Sequence, residues 1–176
     1  MNAIVFLLNA LFTLYLMVVL LRLWLQLTQA DFYNPLSQFV VKVTHPLVGP
    51  LRRVVPSIGR FDTATLLLAF IVALLRTWAI GAIQGYVTIN PILLLMGSVY
   101  FLIGEMLQLV IYVLIIRAVL SWVSQGNNPI EYLFHQLTEP LLAPIRRIIP
   151  PIGGLDLSPM IVILLVYALM IFFRTI

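Results

Sequence analysis

NPLSQFVVKVTHPLVGPLRRVVPSIGRFD, residues 34–62, recurs as NPIEYLFHQLTEPLLAPIRRIIPPIGGLD, residues 128–156. The two segments lie 94 positions apart, and 12 of their 29 aligned positions are identical. Most of the remaining positions exchange one apolar residue for another. Self-similarity at a fixed spacing is the signature of a repeated structural unit. The chain is therefore predicted to consist of two copies of one unit.

An apolar stripe runs along each repeated segment at helical spacing. Its members recur at positions i, i+3, i+4, i+7 and i+11, which is the pattern of one helix face. They are Leu36, Phe39, Val40, Val43 and Leu47 in the first copy and Ile130, Leu133, Phe134, Leu137 and Leu141 in the second. Amphipathic helices with basic residues are typical of membrane interfaces. We expect each stripe to face acyl chains or membrane-spanning helices.

Each repeated segment is predicted to form two short helices. Asn34 and Asn128 suit the N-cap of the first, because each precedes a proline, Pro35 or Pro129, at a position where a missing N–H costs nothing. A threonine would cap the second helix, and prolines would kink it and end it. These residues are, in order, Thr44, Pro50 and Pro56 in the first copy and Thr138, Pro144 and Pro150 in the second.

The composition indicates an integral membrane protein. Hydrophobic residues make up 62% of the chain and charged residues 9%, whereas soluble domains carry roughly 25% charged residues. There is no cysteine, which excludes disulfides, iron–sulfur clusters and thiolate zinc sites. The chain also lacks a phosphate-binding loop, an HExxH motif and a nucleophile elbow. We therefore expect no enzymatic activity, no cofactor and no metal site.

Four apolar stretches are predicted to span the membrane, since a span needs about 20 residues. They cover approximately residues 4–27, 64–83, 92–123 and 158–174. The third exceeds the thickness of an apolar layer of about 30 Å, so we expect it to tilt, bend or project. The predicted fold is an all-α membrane protein with four transmembrane helices. Its two units, residues 1–87 and 88–176, each contain one interfacial segment between two spans.

Positive charge predicts the orientation of these spans. Arginine and lysine flank the first and third connections, whereas the second connection, residues 84–91, has no charged residue. The flanking residues are Arg22, Lys42, Arg52, Arg53, Arg60, Arg117, Arg146 and Arg147. Cytoplasmic loops are enriched in such residues, so both basic connections are predicted to be cytoplasmic. The two units would then be parallel, unlike the inverted repeats of many transporters.

The second copy carries the fuller form of a specific motif. It comprises Arg117, Ser121, Trp122, Asn128, Pro129, Thr138, Glu139, Pro140, Leu141, Leu142, Pro144, Arg146, Arg147, Pro150, Gly153, Gly154, Asp156, Ser158 and Pro159. This motif resembles the YggT family of bacterial membrane proteins, called YlmG in other bacteria and plastids, in its two-repeat Gram-negative form. The first copy departs from it at His45, Arg60 and Thr65, so the two copies need not bind the same ligand.

The family resemblance implies a protein of the bacterial inner membrane without a demonstrated catalytic activity. In that membrane, the orientation predicted from positive charge makes both termini periplasmic. Relatives are connected with cell division and envelope organisation, and in plastids with nucleoid distribution and cytochrome assembly. In Gram-negative bacteria they are connected with osmotic stress and potassium uptake. The resemblance also assigns a structural role to the asparagine, proline, glycine, threonine and serine positions of the motif and to Glu139.

The paired arginines are the first candidate site. Arg52 with Arg53, and Arg146 with Arg147, stand among aliphatic residues at the predicted interface. Guanidinium groups suit phosphate recognition, so these pairs, together with Arg22 and Arg117, are predicted to contact anionic lipid headgroups or partner proteins. Topological anchoring without a specific ligand is the alternative. Nucleic acid is not an expected partner, because these charges adjoin hydrophobic runs.

Acidic residues give the second group of candidates. Asp62 and Asp156 each precede a spanning helix, where a carboxylate caps the helix or pairs with arginine; a cation site is the alternative. Glu105 lies within a span, where a carboxylate marks a functional hypothesis. Arg76 is predicted at a similar depth, so the pair could lock two helices together or form part of an ion path. We expect the lock, because the first copy has Ala10 at the matching position.

Two functions follow from these observations. The first is a membrane scaffold or assembly factor that contacts lipids and other inner-membrane proteins through its basic amphipathic segments, as a monomer or a homo-oligomer. The second is a small ion-translocating protein that uses Glu105, Asp62 and Asp156 and serves cation uptake in osmotic stress.

Overall fold

The computed structural model describes residues 3–85, 90–123, 128–149 and 156–175. Within these ranges the chain forms six α-helices: α1 (Ala3–Leu27), α2 (Pro35–Val54), α3 (Thr63–Ile83), α4 (Pro91–Val123), α5 (Pro129–Ile148) and α6 (Ser158–Thr175). The predicted boundary between the two units and the motif residues Pro150, Gly153 and Gly154 lie outside the described ranges. The boundary therefore stays a prediction.

Asparagine–proline pairs begin three of the helices. The Asn34 side chain accepts a hydrogen bond from the Leu36 amide at 3.0 Å, and Asn128 accepts one from the Ile130 amide at 2.9 Å. Both predicted N-caps are thus confirmed. Asn90 makes the same contact with the Ile92 amide at 3.0 Å, just before α4. The following proline fits each start because its fixed φ suits the first helical turn.

Each repeated segment forms one continuous helix of 20 residues, α2 or α5, so the prediction of two short helices is wrong. The threonines do not cap a second helix: the Thr44 hydroxyl donates to the Val40 carbonyl at 2.6 Å, inside the helix. Pro46 and Pro50 lie on the exposed face of α2. Because these rings and the carbonyls they leave unpaired do not enter the packed interface, the helix continues past them.

Among the described residues, three helices are long and apolar enough to cross a membrane: α1, α3 and the Pro91–Ser121 part of α4. The apolar part of α6, Ser158–Phe173, is shorter. Apolar side chains also cover the outside of the bundle; Leu7 and Leu14 of α1 are both 65% exposed. A helix that is apolar all round is typical of a membrane environment. The fold is therefore all-α and indicates a membrane protein.

The main core lies where α1 packs against α3. Fully buried Leu16 and Val19 of α1 meet the small residues Ala69 and Ala73 of α3, which are also fully buried. Small residues let two helix backbones approach closely. Helix α4 packs against α1, α3, α5 and α6 and so joins the two halves of the chain. Each helix formed by a repeated segment lies across two long helices, α2 on α1 and α3, and α5 on α4 and α6.

The predicted apolar stripe of α2 is divided between two environments. Val40 is buried in the main core, whereas Phe39 is 55% exposed and Leu47 is also exposed. The buried face of α2 instead contains Ser37, Val40, Thr44 and Val48. A buried threonine within this face means that a polar contact, not only an apolar one, holds the helix in place.

Candidate functional site

A cluster of arginines and carboxylates occurs twice, where α2 crosses α1 and α3 and where α5 crosses α4 and α6. The first cluster consists of Arg22, Thr44, Arg52 and Asp62, with Gln26 and Thr65 beside it. The second cluster consists of Arg117, Thr138, Glu139, Arg146 and Asp156, with Ser158 beside it. In both, the residues come from two successive helices and from an aspartate at the start of the third: Asp62 is the N-cap of α3, and Asp156 lies two residues before α6.

In the first cluster, Arg22 of α1 is only 4% exposed. Its Nη1 donates a hydrogen bond of 2.8 Å to the fully buried Thr44 hydroxyl of α2. That hydroxyl in turn donates a hydrogen bond to the Val40 carbonyl, so it acts as both acceptor and donor. A buried charge needs such partners because leaving water is costly. This contact joins α2 to α1.

Asp62 joins α2 to α3 at the other side of the first cluster. Arg52 donates to its carboxylate and, at 2.9 Å, to Gln26 of α1. Asp62 also caps α3 by accepting from the Thr65 amide at 3.2 Å and the Thr65 hydroxyl at 2.5 Å. Burial by itself raises the pKa of this fully buried carboxyl, but the hydrogen bonds from Arg52 and Thr65 outweigh it and hold the pKa below its usual value.

The second cluster repeats these contacts and adds a carboxylate. Arg117 of α4 donates to the Thr138 hydroxyl of α5. Arg146 reaches both Glu139 oxygens at 3.0 Å and Asp156 at 2.8 Å. Burial raises the pKa of Asp156, but hydrogen bonds from Ser158 and Arg146 outweigh it and lower the pKa. Capping and arginine pairing, predicted for Asp62 and Asp156, are thus both observed.

Glu139 gives the two clusters different charges. Its carboxylate lies 3.7 Å from Arg117 and 3.4 Å from the His135 imidazole. The first cluster has His45 at the matching position and no second acid. Two arginines and two carboxylates make the second cluster neutral, whereas two arginines and one carboxylate leave the first with a charge of +1.

The other predicted arginines are placed differently. Arg53 and Arg147 are exposed on α2 and α5 and are not part of either cluster. Their predicted contact with lipids or partners stays a prediction. The same holds for Arg22 and Arg117, whose observed contacts are within the chain.

The predicted ion pair between Glu105 and Arg76 is not formed within 4.0 Å. Arg76 of α3 instead donates two hydrogen bonds, of 3.0 and 2.6 Å, to the Asn9 side chain of α1. Its guanidinium also stacks over the Phe101 ring at 4.0 Å. The two predicted partners do line one cavity of about 360 Å³ between α3, α4 and α6. Within the described ranges, Glu105 Oε2 is buried without a hydrogen-bond partner.

Two hydrogen bonds join the segment around the start of α2 to α5. Asn34 Nδ2 donates to the Pro129 carbonyl at 2.7 Å, and the Asp31 amide donates to the Gln136 side chain at 2.9 Å. Asn34 therefore caps α2 and binds α5 at once. The repeated Asn-Pro signal predicted the cap, but nothing in the sequence pointed to the second contact.

Sequence reasoning also missed three polar partners. Asn9 and Gln26 accept hydrogen bonds from arginines, and Thr65 donates to Asp62. The sequence does contain a pattern that points to the Arg22–Thr44 contact: an arginine precedes a threonine by 22 residues in the first copy and by 21 in the second. The groups of three or more His, Asp or Glu side chains needed for a metal ion do not occur in the part of the chain that the structure describes.

Several curated bacterial proteins are similar to this chain along most of its length. "Uncharacterized protein in proC 3'region" of Vibrio alginolyticus is 55% identical over 163 residues, which cover 92% of this chain and 88% of the relative. "Uncharacterized protein YggT" of Escherichia coli K12 is 48% identical over 169 residues, covering 96% of this chain and 88% of the relative. No solved structure is significantly similar to the chain.

A plastid protein and a family model extend the comparison. "YlmG homolog protein 2, chloroplastic" of Arabidopsis thaliana is 39% identical over 56 residues, covering 32% of this chain and 22% of the relative. The family model described as CCB3/YggT matches residues 1–83 and 96–176, which include all the residues of both clusters. The predicted resemblance is thereby confirmed, and the chain belongs to the CCB3/YggT family.

Proposed function

We propose that this protein is a non-enzymatic scaffold or assembly factor of the bacterial inner membrane. It supports envelope organisation, cell division or the assembly of membrane complexes by presenting two amphipathic helices to lipids and other membrane proteins. One observation carries the proposal: in both units, arginines tie the interfacial helix to two long helices, and in the first unit one of them, Arg22, is buried. Because the helix is held at its polar contacts, the apolar side chains Phe39 and Leu47 stay exposed.

The proposal includes a topology of four spans in two parallel units, with α2 and α5 on the cytoplasmic side. Support comes from the one-sided positive charge and from the recurrence of one cluster per unit. The absence of cysteine makes a direct test simple. In cells carrying Gln84→Cys, a membrane-impermeant maleimide should label the intact cell surface. The matched Lys42→Cys variant should be labelled only after permeabilisation, and the opposite pattern would reject the orientation.

Photocrosslinking tests docking at the exposed edge of α2. A photoreactive amino acid at Phe39 should give adducts of discrete mass with another membrane protein or a second copy of the chain. The control position is Leu14, an equally apolar and exposed side chain of α1, which should give lipid adducts alone. Equal protein adducts from both positions, or lipid adducts alone from Phe39, would contradict docking through α2.

A second candidate function, ion translocation, is favoured by the cavity between α3, α4 and α6. A half-buried carboxylate with an unpartnered oxygen inside a span is what a proton or cation path requires, and Glu105 has this arrangement. The test is cation flux into liposomes that contain the purified protein. Flux that is lost in Glu105→Gln and kept in Asp31→Asn, a loop control, would reject the scaffold in favour of transport. Absence of flux in all three proteins would support the scaffold.

A further inference from the structure

We propose that the first unit contains a pocket that binds one phosphate group, carried by an anionic lipid or free, and that the second unit lacks it. The pocket has a volume of about 710 Å³ and opens beside the first cluster. Its polar lining is Arg22, Gln26, Gln29, His45, Arg52 and Arg60. The inference deepens the proposed lipid contact and rests on α2 lying at the membrane surface.

The lining residues are arranged as a floor and a rim. Arg22 is buried and lies at the floor, where Thr44 fixes its guanidinium at 2.8 Å. His45 and Arg60 are exposed and lie at the rim. Gly59 has a left-handed backbone, with φ of 60°, within a tight turn closed by two hydrogen bonds of 3.0 Å between Ile58 and Phe61. This turn, which favours glycine, places Arg60 at the pocket.

Charge distinguishes this pocket from the matching place in the second unit. Arg22, Arg52 and Arg60 against the single carboxylate Asp62 leave a net charge of +2, with His45 taken as neutral. The second unit has Gly154 in place of Arg60 and Glu139 in place of His45. Its own Glu139 carboxylate binds Arg146 and lies near Arg117. In the second unit the Glu139 carboxylate thus neutralises the arginines, as an external anion can do in the first unit.

Phosphate is the anion that suits these donors. Guanidinium groups bind phosphate in a fork geometry, and a phosphomonoester carries roughly −1.5 to −2 at neutral pH, which matches the excess charge. A second groove, of about 390 Å³, shares Phe32, Val41 and His45 with the pocket and adds Pro46 and Lys42. This neighbouring surface gives an acyl or glycerol group a place to lie, so the lipid form of the ligand has more contacts than free phosphate.

Native mass spectrometry of the full chain in neutral detergent tests the pocket. The probes are dioctanoyl phosphatidic acid, dioctanoyl phosphatidylcholine and inorganic phosphate. One phosphatidic acid should bind per chain. Arg60→Gln and His45→Glu, the latter copying the second unit, should each weaken it about tenfold, or about 1.4 kcal/mol. The control Arg53→Gln removes the same charge from exposed α2 outside the pocket and should change binding less than twofold.

Each outcome decides a specific point. Displacement of the lipid by millimolar inorganic phosphate would support a site for the phosphate group alone, and failure to displace it would support a lipid ligand. Equal weakening by Arg53→Gln and Arg60→Gln would overturn the pocket in favour of diffuse charge, as would equal binding of phosphatidylcholine. Arg60 is exposed, so its variant should fold even if His45→Glu does not.

Phosphatidic acid binding and photocrosslinking from Phe39 test the pocket and the scaffold separately. If phosphatidic acid does not bind but Phe39 still gives discrete protein adducts, only the pocket is wrong. If phosphatidic acid binds with the expected dependence on Arg60 but Phe39 gives lipid adducts alone, only docking is wrong.

Discussion

Replacing Thr44 with valine should destabilise this protein more than the same change at Thr138. Valine has nearly the same shape as threonine but cannot accept a hydrogen bond, so Arg22 would lose its partner on α2. A hydrogen bond to a charged group contributes about 1.5–3 kcal/mol, and losing one partner leaves the other with its desolvation cost. Because Arg22 is only 4% exposed, its guanidinium regains little hydration when that partner is lost, and we expect a loss of about 2–3 kcal/mol.

The second unit should tolerate the change better for a reason visible in its cluster. Arg117 retains a carboxylate, Glu139, at 3.7 Å after Thr138 is replaced, and its side chain is 12% exposed. We expect a loss of about 1 kcal/mol there, near the value for an ordinary hydrogen bond. The control is Thr77→Val, since the Thr77 hydroxyl also donates to a carbonyl one turn back, that of Ala73 at 2.9 Å, but Arg22 and Arg117 are not its partners.

Thermal unfolding in one detergent, followed by tryptophan fluorescence, measures these differences. With about 2–4 °C per kcal/mol for a chain of this size, the midpoint should fall by about 4–12 °C in Thr44→Val. It should fall by about 2–4 °C in Thr138→Val and less in Thr77→Val. Equal falls at Thr44 and Thr77 would refute the claim that the arginine contact holds α2. A larger fall at Thr138 would refute the role of Glu139.

Three further perturbations have expected outcomes. The folded-state pKa of Asp62 is lowered, so its contribution to stability is complete above about pH 4, its usual pKa, and is lost as the pH falls through the folded value. Asp62→Asn should therefore lower the midpoint at pH 7 and flatten the acid side of a stability–pH curve. Asn9→Leu removes both hydrogen bonds to Arg76 and should cost about 2 kcal/mol, measured by the same unfolding assay. Ala69→Leu should overfill the α1–α3 contact and cost about 1–3 kcal/mol.

The repeat predicted the parts of this protein that depend on local sequence. Asn34 and Asn128 begin helices because a capping side chain and a following proline act within one turn, and both features are visible in the sequence. The ends of the long helices also lie within one residue or so of the predicted spans. Apolar length, like capping, is a property of a short continuous stretch.

Contacts between distant helices could not be predicted in the same way. Counting residues from the helix ends predicts that Arg76 and Glu105 lie at a similar depth, and both do line one cavity. The partner of Arg76, however, is decided by the rotation of α3 about its axis, where each residue turns the side chain by about 100°. That rotation follows from how Ala69 and Ala73 pack on α1, and it directs Arg76 toward Asn9 and Phe101.

Thr44 illustrates a conflict between two local preferences. Threonine favours an N-cap, which was the prediction, but it also fits inside a helix when its hydroxyl bonds to the preceding turn. Arg22 decides between them, because a buried guanidinium needs an acceptor at that point of α2. A residue 22 positions away thus sets the conformation, and only the recurrence of the pair in the second unit hints at it.

The two units share one set of contacts and differ in another, and the two sets have different physical roles. In both, one arginine donates to a threonine and a second arginine donates to an aspartate at the start of the next long helix. These contacts hold α2 or α5 across two long helices. They differ at one matched position: the first cluster has His45, whereas the second has Glu139, whose carboxylate cancels the excess charge of the arginines. A protein that needed only anchoring would gain nothing from leaving one cluster charged, because an uncompensated buried arginine is costly. The excess charge of the first unit is therefore best explained by an anion that neutralises it when bound.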